Sequence, residues 1–390
     1  MKNCRIILLV ILLSPKFLLA QIYSGMVIDN DSKEPLVNAN IFLAGTLTGT
    51  TTNKDGYFEL DANGNTSVPL VVSFVGYVTS VFSFFELTSN SVIKLKKEVL
   101  EIDEIIVKSN PSGWSRIRMM QVFKEEFLGS SFNAQSCKIE NEKDIYLFYN
   151  STTETLYANS LNPLVIENKL LNYKITYVLE SFQKSDSGVK FKGYSSFKEL
   201  PFKNEKHKKR VIEQRVETYL GSIMHFMRYL YKDNIYDKDT IYDIDVISSI
   251  YAYNNYDASS LSENYFGDLH STVKMSKNEI NNIVIRKYQD LFQLYDSLEN
   301  YISNSKILSD TLEVRRLYAD QEIRILYLGN LSNSYLVPNS GCIEIAKNGY
   351  YDPDLISWYG FMSKFRIGDL LPYDYVYKLY EPIKKRYLFE

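Results

Sequence analysis

Glycine, proline and Asx residues break the stretch from Ile22 to Lys97 into short apolar runs, and this punctuation constrains the fold more than any other feature of the chain. Ile22 to Ile28 alternates loosely and ends in Asp29-Asn30-Asp31. Pro35 fixes φ before a run that puts Val37, Ala39, Ile41 and Leu43 on one face. Thr50 to Thr52 are β-branched and suit a strand edge. Asp55-Gly56 marks a turn, because glycine accepts positive φ without steric cost, and Tyr57 to Leu60 leaves it. Leu70 to Phe74 is almost continuously apolar, as expected for a strand covered on both faces. Gly76 allows a bend, Tyr77 to Phe85 resumes, and Val92 to Leu95 closes the set. Short strands at this spacing predict an all-β sandwich. Tyr77 is expected to pack its ring and keep its hydroxyl in water. Asn53 and Asp55 read as turn residues; a calcium loop needs more oxygen ligands and a distant glutamate.

The same residues carry a family resemblance. Gly25-Met-Val-Ile-Asp29, Glu34-Pro35-Leu36-Val-Asn-Ala39, Gly45, Gly49-Thr50-Thr51-Thr52, Asp55-Gly56-Tyr57-Phe58 and Ser73-Phe74-Val75-Gly76-Tyr77 resemble the carboxypeptidase regulatory-like domain. The resemblance implies a transthyretin-like Greek-key sandwich of about seven strands, common at the front of exported proteins of the Bacteroidetes type. It implies no peptidase chemistry. A zinc carboxypeptidase needs His and Glu ligands beside a catalytic acid. His207, His225 and His270 are the only histidines and show no ligand spacing. No metal or other cofactor is expected.

The first residues read as a secretory leader spanning 1–20. Lys2 and Arg5 precede an apolar core from Ile6 to Leu13, and Ala20 precedes the expected cleavage point at Gln21. The core is too short for a permanent membrane helix, no later window offers one, and Cys4 lies too early to be lipid-modified. The expected location is the periplasm or the outer membrane. The sandwich is assigned 21–98 and a linker 99–112, where Leu100 to Val107 resembles the segment that follows this sandwich in TonB-dependent receptors. Roughly 280 residues follow, fewer than a plug and a 22-stranded barrel require, so a transporter is not expected. A formal net charge of −3 argues against nucleic acid as a partner.

Residues 113–390 read as a larger β-rich α+β domain. Trp114, Ile117, Met120, Phe123 and Phe127 recur at helical spacing, and Gly129 follows as a C-cap. Strands are expected at 145–149, 155–158, 173–182, 189–194, 241–253, 283–288, 322–328 and 342–346. Helix is expected from Glu205 to about Leu230 with a break near Gly221, and again over Phe361–Leu371, stopped by Pro372. Phe127-Leu-Gly-Ser-Ser131 and Tyr219-Leu-Gly-Ser-Ile-Met-His-Phe-Met-Arg228 resemble an uncharacterised region that follows this sandwich in other proteins, which implies no activity.

Ser222, His225 and Arg228 recur every three residues and can line one helix face. They read either as a general base with an anion-binding partner or as a packed helix whose His and Arg satisfy nearby carboxylates. Lys203, Lys206, Lys208, Lys209 and Arg210 surround His207, either to meet anionic phosphate or glycan or as the solvated start of a helix. Tyr350, Tyr351, Trp358 and Tyr359 lie near Asp352 and Asp354, and Tyr373, Tyr375 and Tyr377 alternate as on a strand. These aromatics suit a glycan or protein surface, with core packing as the alternative. Cys137 and Cys342 either pair as a disulfide or stay separate as buried thiols. With no Gly-x-Ser-x-Gly elbow or cysteine-nucleophile motif, the expectation is a non-enzymatic envelope or surface protein acting as a binding or assembly module. The alternative is a hydrolase or glycan-binding protein with its site in the C-terminal domain.

Overall fold

The computed structural model describes residues 22–62, 67–83, 90–98, 113–231, 292–295, 307–309, 314–319, 322–327 and 332–377. The leader at 1–20, the linker at 99–112 and the strands expected at 241–253 and 283–288 lie outside the described residues. Seven strands come first: β1 (Ile22–Asp29), β2 (Asn40–Leu43), β3 (Gly49–Thr51), β4 (Tyr57–Asp61), β5 (Leu70–Ser73), β6 (Ser80–Phe82) and β7 (Ser91–Leu95). They form two sheets, ordered β4-β1-β7 and β3-β2-β5-β6. Tyr23, Val27, Ile41, Leu43, Phe58, Leu60, Leu70, Val72, Ile93 and Leu95 fill the space between. Alternation along β1 does this directly: Tyr23, Gly25, Val27 and Asp29 are buried in turn. Val37 departs from the expected face and is 41% exposed, because Asn38 adopts φ 62 and resets the side-chain alternation before β2 begins. Gly56, at φ 73, closes the Asp55-Gly56 turn, and a Cβ there would stand 2.7 Å from the Val27 carbonyl oxygen. Asn53 Oδ1 accepts the amides of Asp55 and Tyr57, which gives it a turn-closing task.

The second region opens with α1 (Arg116–Leu128), whose N-cap Ser115 accepts the Arg118 amide. Gly129 ends it at φ 100, donating to the Glu125 carbonyl. The buried stripe is Met119, Phe123, Phe127 and Leu128, whereas Ile117 is 83% exposed. Trp114, the first residue of the expected stripe, precedes the helix and stacks on Tyr149 at 4.1 Å, so it does not set the helix phase.

After α2 (Phe132–Gln135), α1 lies on a six-stranded sheet made of β8 (Cys137–Ile139), β9 (Ile145–Asn150), β10 (Thr155–Ser160), β11 (Leu164–Asn168), β12 (Tyr173–Ser185) and β13 (Gly188–Glu199). The order is β8-β11-β12-β10-β9, with β13 pairing along β12. Ile166, Ile175, Tyr177, Leu179 and Phe182 meet Phe123 and Phe127 in its core.

The helix expected over 205–230 is two: α3 (Glu205–Tyr219) and α4 (Ile223–Tyr231). Gly221 at φ 77 breaks them apart and lies against the Tyr327 ring. Further strands are β14 (Phe292–Tyr295), β15 (Ile307–Ser309), β16 (Val314–Tyr318), β17 (Ile323–Tyr327), β18 (Ser332–Pro338), β19 (Cys342–Ala346) and β20 (Ile356–Gly360). They form two small sheets, β14-β17-β18-β20 and β15-β16-β19. Phe226, Met227 and Leu230 of α4 pack on Ile325, Leu336, Ile343 and Ile345 in a separate core.

The helix expected over Phe361–Leu371 is instead two 3-10 turns, Met362–Lys364 and Ile367–Asp369. Arg366 between them is extended, and Gly368 passes so close to α2 that a Cβ would stand 2.5 Å from the Ala134 Cα. Tyr373, Tyr375 and Tyr377 do not form a strand; Tyr373 and Asp374 lie in a turn. Among the described residues no helix is long and apolar enough to cross a membrane.

Candidate functional site

His225 and Arg228 lie on α4 and Ser222 immediately precedes it, and each is occupied by the fold. Ser222 Oγ accepts the His225 amide, which makes it the cap of the helix. His225 is 3% exposed, and its Nδ1 accepts the Gly221 amide at 3.0 Å. A neutral imidazole accepting at Nδ1 carries its proton on Nε2, so neither nitrogen offers the lone pair a general base needs. The ring lies 4.9 Å from Tyr219 and 6.0 Å from Tyr327. Arg228 donates to three backbone carbonyls: Asn348 at 2.8 Å, Tyr375 at 2.9 Å and Tyr373 at 3.1 Å. The partners are therefore carbonyls, not the carboxylates that a packed-helix reading suggests. Arg228 ties α4 to the C-terminal segment, a task invisible in sequence because its acceptors lie more than a hundred residues away.

The aromatic group 350–359 is not one surface. Tyr350 packs against the sandwich core and meets Tyr373 edge-on at 5.5 Å. Burial raises the phenol pKa of both, that of Tyr373 to about 12. Tyr351 is buried and accepts the Trp358 indole N–H at 2.9 Å. Tyr359 alone among these four is fully on the surface. Asp352 caps the 3-10 turn that follows it, and Asp354 pairs with Lys192 at 2.6 Å. Neither forms part of a paired-carboxylate site.

The basic run is the solvated start of α3, from Lys203 before its cap to Arg210 in its second turn. Asn204 caps that helix by accepting the His207 amide, and His207 Nδ1 accepts the Lys203 amide. Lys203, Lys206, Lys208, Lys209 and Arg210 are exposed. The disulfide considered between Cys137 and Cys342 is not formed: both thiols are free, one in the six-stranded sheet and one in β19. Burial, reinforced by Asp369, pushes the Cys137 thiol up to about 12. Among the described residues no group of three or more His, Cys, Asp or Glu could hold a metal ion.

Two arrangements escaped the sequence reading. The first joins the sandwich to the second region. The Gly45 amide donates to the Ser195 carbonyl at 2.7 Å, the Phe197 amide to the Thr46 carbonyl at 2.9 Å, and the Tyr373 amide to the Gly45 carbonyl at 2.7 Å. The Leu47 amide donates to the Asp374 carboxylate. Beside this junction Phe42, Ala44 and Val71 are buried against the partly buried Val178 and Tyr194. That contact explains why all four residues of β5 are buried. Nothing in the local sequence pairs these segments; at the junction Gly45, at φ 69, lies against the Tyr373 ring.

The second is a buried polar knot under α2. Asp369 Oδ1 accepts Ser131 Oγ at 2.7 Å and Asn133 Nδ2 at 2.9 Å, and Asn133 Nδ2 also reaches Thr218 Oγ1 at 2.8 Å. Burial raises the Asp369 pKa against the lowering effect of these donors.

One further surface is open. Tyr146, Phe148, Tyr157 and Asn159 share the outward face of β9 and β10 by their register, with Phe148 and Tyr157 stacked at 6.4 Å. Tyr146 and Tyr157 are exposed.

Residues 23–107 match the CarboxypepD_reg-like domain, a non-catalytic sandwich, and the match extends into the positions read as a linker. No curated protein matches the chain. Among solved structures, the chain is similar to a type II cohesin–X-dockerin complex from Acetivibrio cellulolyticus. The identity is 15%, with 29% of this chain and 79% of that one covered, at a TM-score of 0.18. It is also similar to a 9R-lipoxygenase from Cyanothece PCC8801 at 8% identity. There 60% of this chain and 49% of that one are covered, at a TM-score of 0.15, so the chain spans about half that protein's length. Scores this low carry no argument about fold or activity.

Proposed function

We propose that this chain is a non-enzymatic, exported envelope protein, a binding or assembly module whose regulatory-like sandwich is mounted on the second region. The observation that carries this reading is the use made of Ser222, His225 and Arg228. Their polar atoms cap a helix, receive a loop amide and hold three carbonyls. The side chains best suited to catalysis by sequence therefore hold the chain together. The sandwich adds no catalytic chemistry of its own. Export is supported by the leader-like pattern of Lys2, Arg5 and the apolar run to Leu13.

The test has two arms. The chain is expressed with its leader, and the envelope fraction is analysed by mass spectrometry; a mature N-terminus near Gln21 is expected, and an intact leader in the cytosol overturns the placement. The purified chain is then incubated with a panel of peptides, esters and envelope glycans. Binding without turnover is expected, whereas turnover lost in His225→Gln establishes the hydrolase alternative.

A glycan-binding reading is favoured by one observation, the stacked Phe148 and Tyr157 beside Tyr146 and Asn159 on an exposed sheet face. Stacked rings with amide neighbours suit the apolar faces and hydroxyls of a sugar. Retention on a glycan array that Tyr157→Ala abolishes would support it.

A further inference from the structure

The sandwich has two outward sheet faces, and they differ in what meets them. The outer face of β2 and β5 is covered by the chain's own second region through Phe42 and Val71. The outer face of β4-β1-β7 carries Tyr57, Met26 and Val92 side by side in register, 38%, 39% and 56% exposed. Charge is arranged diagonally about this row. Glu59 of β4 pairs with Ser24, two residues before Met26, and Lys94 of β7 pairs with Ile28, two residues after it. Among the described residues neither Glu59 nor Lys94 forms an ion pair within the chain.

Strands about 4.8 Å apart and a rise of about 6.8 Å per two residues place Glu59 and Lys94 at opposite corners, equally far from Met26. A two-fold axis lying in the face, through Met26 and at about 45° to the strands, then superimposes complementary groups. Met26 meets its own copy, Ile28 of one chain falls near Tyr57 of the other, and each Lys94 stands over the opposing Glu59. The strands of the two copies cross at near right angles, which is one of the two ordinary ways sheets pack.

We infer that this face is a self-association surface on which a second copy of this chain packs to form a symmetric dimer. The apolar row supplies the contact and the two Lys94–Glu59 pairs supply the register. A patch three strands wide lies at the small end of specific interfaces, so the dimer dissociates on dilution and weakens as salt screens the rim pairs.

Sedimentation velocity of the full mature chain over a concentration series tests this. A monomer–dimer equilibrium is expected. Met26→Glu is expected to leave a monomer at every concentration with an unchanged circular dichroism spectrum and melting temperature. Glu59→Lys and Lys94→Glu are each expected to weaken the dimer at least several-fold, because like charges then face each other across the axis. The double variant Glu59→Lys/Lys94→Glu is expected to restore it. A chain that stays monomeric throughout overturns the inference, as does a dimer untouched by Met26→Glu. A dimer that responds to Met26→Glu but to neither charge variant overturns the diagonal arrangement.

Discussion

The Tyr77 hydroxyl donates to Asp29 Oδ2 at 2.6 Å, joining two parts of the sandwich that lie 48 residues apart in the chain. Asp29 Oδ1 accepts the amides of Asp31 at 2.7 Å and Ser32 at 2.8 Å, and Lys97 Nζ lies 3.5 Å from Oδ2. One carboxylate thus closes the turn after β1 and anchors the bend at Gly76-Tyr77. The Tyr77 hydrogen bond, then the Ser32 amide, holds the Asp29 carboxyl well below the usual carboxylate range. The same bond pushes the Tyr77 phenol up to about 12. The expectation left this hydroxyl to water alone; it also has a protein partner, the aspartate that ends Gly25–Asp29.

A depressed folded pKa means that Asp29 contributes stability above its unfolded value of about 3.9, and that this is lost as pH falls through the folded value. Tyr77→Phe removes the largest cause of the shift. Thermal melts followed by circular dichroism should show Tyr77→Phe less stable than the parent at neutral pH. The gap should narrow steadily on acidification below about pH 4. A gap independent of pH would mean that ring packing, not the carboxylate, carries the effect.

The junction between sandwich and second region gives a second prediction. Gly45 sits at φ 69, and an added Cβ would lie 2.6 Å from the Tyr373 ring. Gly45→Val is therefore strained twice, by backbone and by contact, and should cost about 2–4 kcal/mol. Hydrogen exchange should rise at Ser195–Phe197 and Tyr373, whose bonds run to Gly45 and Thr46. Gly76→Ala is the control: its φ is 79 but nothing lies within 4 Å, so only backbone strain of about 1 kcal/mol is expected. Equal loss in both variants would leave the junction without energetic weight.

What the sequence disclosed and what it hid divide along the distance over which information travels. Turn residues act on their neighbours, so Asn53, Asp55 and Gly56 announced a turn and Gly129 announced the end of α1. Continuous burial of Leu70–Ser73 was also legible, although its cause was not: the outer cover is Val178 and Tyr194 of the second region. Periodicity failed where a residue outside the element was counted into it, as Trp114 was for α1, or where a left-handed residue reset the alternation, as Asn38 does after Val37. In the candidate site, the spacing of Ser222, His225 and Arg228 put His225 and Arg228 on α4, with Ser222 as the cap just before it. Their roles depend on Gly221, Asn348, Tyr373 and Tyr375, and local spacing carries no record of the last three.

Arg228 offers a direct test of the structural role. Arg228→Ala strands three carbonyls that it now satisfies, and a loss of about 2–4 kcal/mol is expected. Arg228→Lys should recover only part of this, because a single ammonium cannot spread over three acceptors as the planar guanidinium does. Exchange protection should fall at Asn348 and over Tyr373–Tyr375. An unchanged melting temperature together with lost ligand binding would instead make Arg228 a recognition residue.

Asp369 tests whether the knot under α2 needs a charge. Its Oδ1 accepts from Ser131 and Asn133, and both bonds suit the carbonyl oxygen of an amide equally well. Burial is the first cause of its raised pKa, so its folded value lies above the unfolded one. The group therefore contributes fully below about pH 4, and the contribution is lost as pH rises through the folded value. Asp369→Asn keeps the two acceptor bonds and removes the cost of burying a charge, so its stability at pH 7 should equal or exceed that of the parent. Asp369→Ala should lose about 2–4 kcal/mol, because Ser131 loses its acceptor and Asn133 keeps only Thr218. Denaturant melts at pH 5 and pH 8 distinguish the cases: the advantage of Asp369→Asn should grow with pH. If Asp369→Asn fell as far as Asp369→Ala at both values, the ionised carboxylate would be the form that holds Ser131 and Asn133 in place.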